Sequence, residues 1–223
     1  MSFYPVCLDV QEKDCIVVGG GKVAERKALG LLSCSAKVLI ISPELTEELQ
    51  RLSKKGAIRW AEREYRSGDL QQAFLVIAAT DDEETQEQVF AEAAANNLLV
   101  NVVDVPQRCN FILPATVKQG DLILSVSTAG KSPALARKLR MELEKRYGVE
   151  YRILVDILGA IRPQILALGQ SQLENELLFK QLLHDEIADW IKNQNWTRLE
   201  KHFEKVLQGR VSADWLEKIR SFY

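Results

Sequence analysis

Three groups of residues in this 223-residue sequence carry chemical potential. The first is the glycine turn Gly19-Gly20-Gly21-Lys22-Val23-Ala24, entered directly from the apolar run Cys15-Ile16-Val17-Val18. Gly19, Gly21 and Ala24 fit the G-x-G-x-x-G/A pattern. The first glycine permits a tight turn, the second lets the backbone approach a pyrophosphate, and the small alanine lets helix and strand pack closely. A helix starting there offers unpaired N–H groups and a partial positive charge to phosphates. The second group is a single acid, Asp104, which closes Leu99-Val100-Asn101-Val102-Val103. Flanked by Val103, Val105 and Pro106, its carboxylate is expected near apolar surface with a raised pKa, which suits a general base. An Asp before X-Pro is equally an ordinary turn residue. The third group is basic: Lys131, Arg137, Lys138, Arg140, Lys145, Arg146 and Arg152 stand against Glu142, Glu144 and Glu150. That local excess of +4 sits in a chain of net charge −2. Arg137 and Arg140, three apart, share a helix face, and Thr128-Ala129-Gly130-Lys131-Ser132 leads into that helix as a second anion cradle. A substrate with several carboxylates would fit such a stretch; a solvated helix face is the ordinary alternative.

The elements that must position these groups come in two patterns. Up to residue 105, short apolar runs alternate with helical periodicity. Cys15–Val18, Lys37–Ile41 and Phe74–Ala79 are expected as buried strands, Ile58–Tyr65 as a weaker one, and Leu98–Val103 as the last. Helices are expected over Lys22–Leu32, Leu45–Lys55 and about Thr85–Asn96. Such alternation means βαβ units and a parallel sheet covered on both faces, a Rossmann-type α/β fold. After Pro106 the pattern changes. Phe111–Val117 and Asp121–Thr128 read as a β-hairpin turned at Lys118-Gln119-Gly120. Leu122, Leu124 and Val126 alternate with Ile123, Ser125 and Ser127. Two strands alone are marginal in water, so they must pack on the parallel domain or on a partner chain. A helix follows with Ser132 as N-cap, Pro133 at its first position and Gly148 past its end. From Glu150 onward every periodic segment is helical, including Ile153–Leu168 and Leu173–Asn193. The boundaries expected are 1–113 for the dinucleotide domain, 114–149 for the hairpin and its helix, and 150–223 for an all-helical region.

The cofactor side has one gap in its pattern. An acid normally ends the second strand to hold the adenosine ribose, whereas KVLII here runs into Ser42-Pro43-Glu44. Glu44 takes that role from slightly further along, or Ser42 and backbone groups do. No arginine follows to meet a 2′-phosphate, so NAD is expected over NADP. Ala79 and Thr80, after the fourth strand, would line the same crevice; small residues there also serve sheet–helix packing. Composition excludes several classes. A pI of about 5.9 gives no whole-surface affinity for nucleic acid or anionic membrane. No apolar run nears the roughly 20 residues of a membrane span, and no signal peptide is visible. The four cysteines, at 7, 15, 34 and 109, show neither CxxC spacing nor scaffold density, so a reducing cytoplasm is expected. The two histidines, His184 and His202, both lie in the helical region, and no metal ligand set is expected. Trp190, Trp196 and Trp215 read as packing residues.

Four separated strings, in order, carry a resemblance: Val18–Lys27 (VGGGKVAERK), Asn101–Asp104 (NVVD), Phe111–Ala115 (FILPA) and Ser127–Arg137 (STAGKSPALAR). Together they resemble the precorrin-2 dehydrogenase family, the module that also forms the N-terminal part of siroheme synthases. Residues 1–150 carry the likeness, and without the large methyltransferase domain of the fused synthases the chain resembles the stand-alone form. The resemblance implies NAD-dependent oxidation of precorrin-2, a reduced tetrapyrrole with eight carboxylates, to sirohydrochlorin. Some members of the family also insert ferrous iron. It implies a catalytic role for Asp104, cofactor contacts from Lys22-Val23 and Pro43-Glu44, and substrate contacts that include Asn101 and Thr128. Thr128 matches a serine that is phosphorylatable in the family. It also implies that the hairpin and following helix build an intertwined homodimer. A non-catalytic NAD-sensing module is the competing class; it accounts for the glycine turn and leaves the basic helix unexplained.

Overall fold

The computed structural model describes residues 3–212. Its contacts fall into two compact units, one through Leu113 and one from Pro114. The first is a five-stranded sheet in the order β3-β2-β1-β4-β5, every pair parallel. The strands are β1 (Asp14–Val18), β2 (Lys37–Ile41), β3 (Arg59–Ala61), β4 (Leu75–Ala78) and β5 (Leu99–Val102). Helices α1 (Lys22–Leu32), α2 (Glu47–Lys54) and α3 (Glu83–Ala95) connect them. Two apolar clusters cover the two faces of the sheet. One gathers Val17, Ile40, Ala24 and Leu49, the other Ile16, Val18, Val76 and Val89. This is why the central strands read as unbroken apolar runs: alternate residues point to opposite faces, and both faces are dry. The strands expected over Phe74–Ala79 and Leu98–Val103 are each one residue shorter at both ends. The weak strand over Ile58–Tyr65 narrows to Arg59–Ala61, as its polar sequence allows.

The second unit opens with a hairpin, β6 (Ala115–Gln119) and β7 (Leu122–Val126), paired from Ala115↔Val126 to Gln119↔Leu122. The turn is therefore the two residues Gly120-Asp121 rather than Lys118-Gln119-Gly120. Phe111–Pro114, expected as the start of the first strand, is not strand at all. The Phe111 carbonyl is instead taken by the side-chain amide of Asn101 (3.0 Å), which ties that segment to the sheet of the first unit. Helix α4 (Pro133–Arg146) is capped by the Ser132 hydroxyl, which accepts from the Leu135 N–H (3.3 Å). Helices α5 (Val149–Leu166), α6 (Gln172–Leu182), α7 (Ile187–Lys192) and α8 (Trp196–Leu207) close around Ile157, Ile161, Ile165, Leu182, Leu199 and Phe203. The single helix expected over Leu173–Asn193 is broken. Leu183 is extended (φ −87°, ψ 91°), and the His184 ring Nδ1 accepts from the Glu186 N–H (3.1 Å), a side-chain turn that competes with the helix. Trp190 and Trp196 pack in this core, as expected; Trp215 lies outside the described residues.

Ile40 is fully buried in the sheet and Leu173 is two-thirds exposed on α6. Ile40→Ala is expected to lower unfolding free energy by about 2–5 kcal/mol, and Leu173→Ala to change it by less than about 0.5 kcal/mol. Urea titration followed by circular dichroism measures both.

Candidate functional site

Strand register levels one edge of the sheet. Val18 is opposite Ile41 on one side and Ala78 on the other, and Ala78 is opposite Val102. The next residues continue the row: Gly19 N–H donates to Ile41 (2.9 Å), Ala79 N–H to Val18 (2.7 Å) and Val103 N–H to Ala78 (2.9 Å). Ser42, Gly19, Ala79 and Val103 therefore emerge side by side at the carboxyl ends of their strands. The order reverses between β1 and β4, which is where open α/β sheets bind ligands. A cleft of about 910 Å³ lies there. Its walls include Gly19, Gly20, Gly21, Ser42, Pro43, Glu44, Ala79 and Thr80.

The three glycines do different work. Gly19 sits at φ +117°, and a Cβ on it would lie 2.3 Å from the Ala79 carbonyl oxygen. A Cβ on Gly20 would lie 1.8 Å from the Glu44 carbonyl oxygen. Both glycines let neighbouring chain segments touch, and the Thr46 N–H donates to the Gly20 carbonyl (3.0 Å) to hold the contact. Around Gly21 a Cβ would meet nothing within 4 Å. Its missing side chain relieves no clash within the chain, unlike those of Gly19 and Gly20. Ala24, with no exposed surface, allows α1 to settle on the sheet.

Three helices start at this edge, and their caps differ. Thr46 caps α2 by accepting from the Leu49 N–H, and Asp82 caps α3 by accepting from the Thr85 N–H. Both termini are satisfied from within. The cap of α1 is Gly21, which has no side chain to offer, so that terminus stays open to an anion. Lys22, Val23 and Ala24 are not cleft walls; at the first turn of α1 they supply backbone N–H groups. The Lys22 ammonium is held by Glu25 (3.1 Å). Glu25 also accepts from the Thr46 hydroxyl (2.5 Å), and that bond, with Lys22 behind it, holds the Glu25 carboxyl below the usual carboxylate range. Among the described residues the cleft walls carry five carboxylates, Glu44, Glu64, Asp81, Asp82 and Glu84, and no lysine or arginine. Only Glu44 of these was legible as a site residue. Glu64, Asp81 and Asp82 come from the segments after β3 and β4 and Glu84 from the first turn of α3; their one sequence signal is the Asp82-x-x-Thr85 capping spacing.

Asp104 stands one residue beyond the same row. Neighbouring strands lie about 4.8 Å apart, so two strand spacings put β5 roughly 10 Å from β1. It is exposed, not set in an apolar pocket as its valine neighbours suggested. The valines turn inward: Val103 and Val105 pack on the two core clusters. Asp104 has φ +61°, the left-handed region, in a turn closed by the Val105 N–H on the Val102 carbonyl (3.2 Å). Asp and Asn enter that region more readily than other side chains, though at a cost of roughly 1–2 kcal/mol. Asn101 is buried one turn earlier, donating to the Phe111 carbonyl (3.0 Å) and to Cys109 Sγ (3.6 Å). Lys27 on α1 is half-buried; burial first, then Arg26, draws its pKa down, while Asp104 and Cys109 oppose them. Neither Lys27 nor Cys109 was singled out from sequence.

The second unit holds the remaining candidates. The Thr128 hydroxyl accepts from the Ser132 N–H (3.0 Å) and its carbonyl from the Lys131 N–H (3.0 Å), bending the chain at Ala129 and Gly130 into α4. Arg140 is engaged by Glu144 (2.7 Å) and Lys138 approaches Glu142 at 4.0 Å. Arg137 and Lys131 are exposed and form no ion pair among the described residues. On α4 only Ala136 is buried; Leu135, Leu139 and Met141 face outward, as does Ile123 of the hairpin.

The glycine analysis separates packing from binding. Gly20→Ala is expected to destabilise the first unit, because a backbone carbonyl must move. Gly21→Ala is expected to leave the thermal midpoint within about 2 °C while weakening dinucleotide binding at least tenfold, about 1.4 kcal/mol. Calorimetric titration and thermal melts on both variants distinguish the roles.

Comparison with known proteins agrees with this geometry. Residues 6–115 match the family model described as putative NAD(P)-binding, and residues 119–146 match the one described as sirohaem biosynthesis protein central. A siroheme synthase of Nitrosococcus oceani is 36% identical over 209 residues, covering 94% of this chain and 45% of that protein. A siroheme synthase of Photorhabdus laumondii is 34% identical over 208 residues, covering 93% and 44%. The chain thus spans somewhat under half the length of these curated relatives. A solved structure titled SirC, precorrin-2 dehydrogenase, superposes with a TM-score of 0.74 at 26% identity, covering 89% of this chain and all of that one. With the putative NAD(P)-binding and sirohaem central segments in order along it, the chain is similar over most of its length to the N-terminal part of siroheme synthases and to a precorrin-2 dehydrogenase.

Proposed function

We propose that this protein oxidises precorrin-2 to sirohydrochlorin with NAD, a hydride passing to the cofactor and a proton to the protein, so that NADH and one proton are released. The observation that carries the reading is the shared sheet edge: the open glycine turn after β1 and the carboxylate after β5 emerge from level strand ends. The uncapped start of α1 fits a pyrophosphate, and the vacant space at Gly21 fits its close approach. On the β2 side, Glu44 or Ser42 with backbone groups holds the adenosine ribose; Ala79 and Thr80 line the opposite wall. Bound NAD supplies the hydride acceptor. Asp104 accepts the proton, and its exposure leaves the carboxylate within reach of a large substrate. Lys131 and Arg137, with the Thr128–Gly130 turn, take substrate carboxylates; an exposed contact of this kind contributes less than about 1 kcal/mol, so several must act together. Asn101 supports the strand end that carries Asp104 from within the sheet.

Among the described residues the cleft walls carry carboxylates and no lysine or arginine, which favours NAD over NADP, since a 2′-phosphate there would meet like charge. The outward-facing Ile123, Leu135, Leu139 and Met141 favour a second copy of the chain as partner, giving a homodimer. The four cysteines are free thiols, which suits a reducing cytoplasm. Ferrous iron would be a further substrate: inserting it into sirohydrochlorin releases two pyrrole protons, and an exposed carboxylate can accept them. Among the described residues no helix is long and apolar enough to cross a membrane.

Two outcomes are expected. Asp104→Asn keeps a residue that tolerates the left-handed turn but removes the base; NADH formation from precorrin-2 should fall by roughly 10²–10⁴-fold with NAD affinity within about twofold. NAD should bind at least tenfold more tightly than NADP, about 1.4 kcal/mol, by calorimetric titration. Tight NAD binding with no turnover of precorrin-2 by folded protein would return the chain to the NAD-sensing class.

A further inference from the structure

The loop that carries Asp104 is held by an internal clamp. Cys109 Sγ lies 3.2 Å from the Val102 carbonyl and 3.4 Å from the Val105 carbonyl, the two residues that bracket the turn. Asn101 reaches the same sulfur with its side-chain amide (3.6 Å) and spends its other amide hydrogen on the Phe111 carbonyl (3.0 Å). Beyond the sulfur, Asn110 returns alongside β5. Its N–H donates to the Val100 carbonyl (3.1 Å), its side-chain oxygen accepts from the Val100 N–H (2.8 Å), and its amide donates to the Leu98 carbonyl (2.7 Å). Arg108, immediately before the cysteine, pairs with Glu87 of α3. The loop is thus anchored at its base and along its return, with the thiol against the two carbonyls nearest Asp104.

We propose that Asn101 and Cys109 are positioning residues for Asp104, fixing the left-handed turn that aims its carboxylate outward. The inference rests on the oxidation reading above and deepens it. The turn itself is intrinsically unfavourable for a residue with a side chain, so something must over-determine it. Its own backbone closure is one bond of 3.2 Å. The thiol and the amide supply the rest. Burial pushes the Cys109 thiol up, so at neutral pH it remains an S–H donor to the carbonyls rather than a thiolate that would repel them.

The test compares Cys109→Ala, Cys109→Ser, Asn101→Ala and Asp104→Asn in the full-length protein, with precorrin-2 and NAD, measuring kcat, KM for NAD and thermal midpoint, and following exchange of the Val105 amide hydrogen. Cys109→Ala and Asn101→Ala should lower kcat at least tenfold with KM for NAD within twofold. The Val105 amide should exchange at least tenfold faster in both. Cys109→Ser retains a donor and should recover kcat to within threefold of the parent protein. Should Cys109→Ala fail to fold, the serine variant and Asn101→Ala still decide. If both alanine variants turn over at the parental rate while Asp104→Asn is inactive, the clamp is refuted and the oxidation reading stands. If Asp104→Asn is itself fully active, the catalytic reading falls and the positioning role falls with it.

Discussion

The structure depends on the level register of four parallel strands. Because Ile41, Val18, Ala78 and Val102 are direct neighbours across the sheet, whatever follows each of them is delivered to one edge. The residues that follow are a serine, a glycine, an alanine and the valine before Asp104. A slip of one residue in any pairing would turn that strand's side chains to the opposite face of the sheet. It would also pull one member of the site out of the row. Burial on both faces prevents that slip, since Ile16 and Val17 each have a dedicated apolar cluster waiting. Core packing and site assembly are therefore a single constraint in the first unit.

Within that frame, the chain closes some potential sites and leaves others open. Three helix termini meet the same edge, and two are satisfied by their own caps, Thr46 and Asp82. The third is left bare by Gly21. The Lys22 ammonium, which would otherwise hang free near the bare terminus, is drawn to Glu25, and Glu25 in turn is steadied by Thr46. One chain of polar contacts thus links the starts of α1 and α2. The result is a cleft with one uncapped helix terminus at its edge and carboxylates on its walls.

Much of the first unit was legible because its signals are local. KVLII and the run through Leu75–Ala78 are short, apolar and bounded by turn residues, and a strand buried on both faces needs nothing more. The glycine turn was legible for the same reason. What escaped depends on residues distant in sequence. Phe111 looks like strand until the Asn101 amide, ten positions earlier, claims its carbonyl. The periodicity from Leu173 to Asn193 contains no glycine or proline, so a break made by the His184 ring gives no advance notice. Asp104 was placed correctly on its edge because it follows a recognisable strand. Its left-handed backbone and exposed carboxylate were not foreseeable from flanking valines, because those valines turn inward to the core and leave the acid outside. Lys27 and Cys109 escaped because a helix lysine and a lone cysteine carry no pattern.

The return of Asn110 along β5 has a consequence for solubility during synthesis. A sheet of five parallel strands has two rims, and a bare rim invites another chain to add itself. Here one rim is β3, only three residues long, and the other is occupied by an asparagine whose main-chain and side-chain groups together satisfy Leu98 and Val100. Neither rim offers a long row of vacant donors and acceptors. Fibril-like stacking of this sheet is thereby blocked by two inexpensive means, brevity on one side and a polar plug on the other.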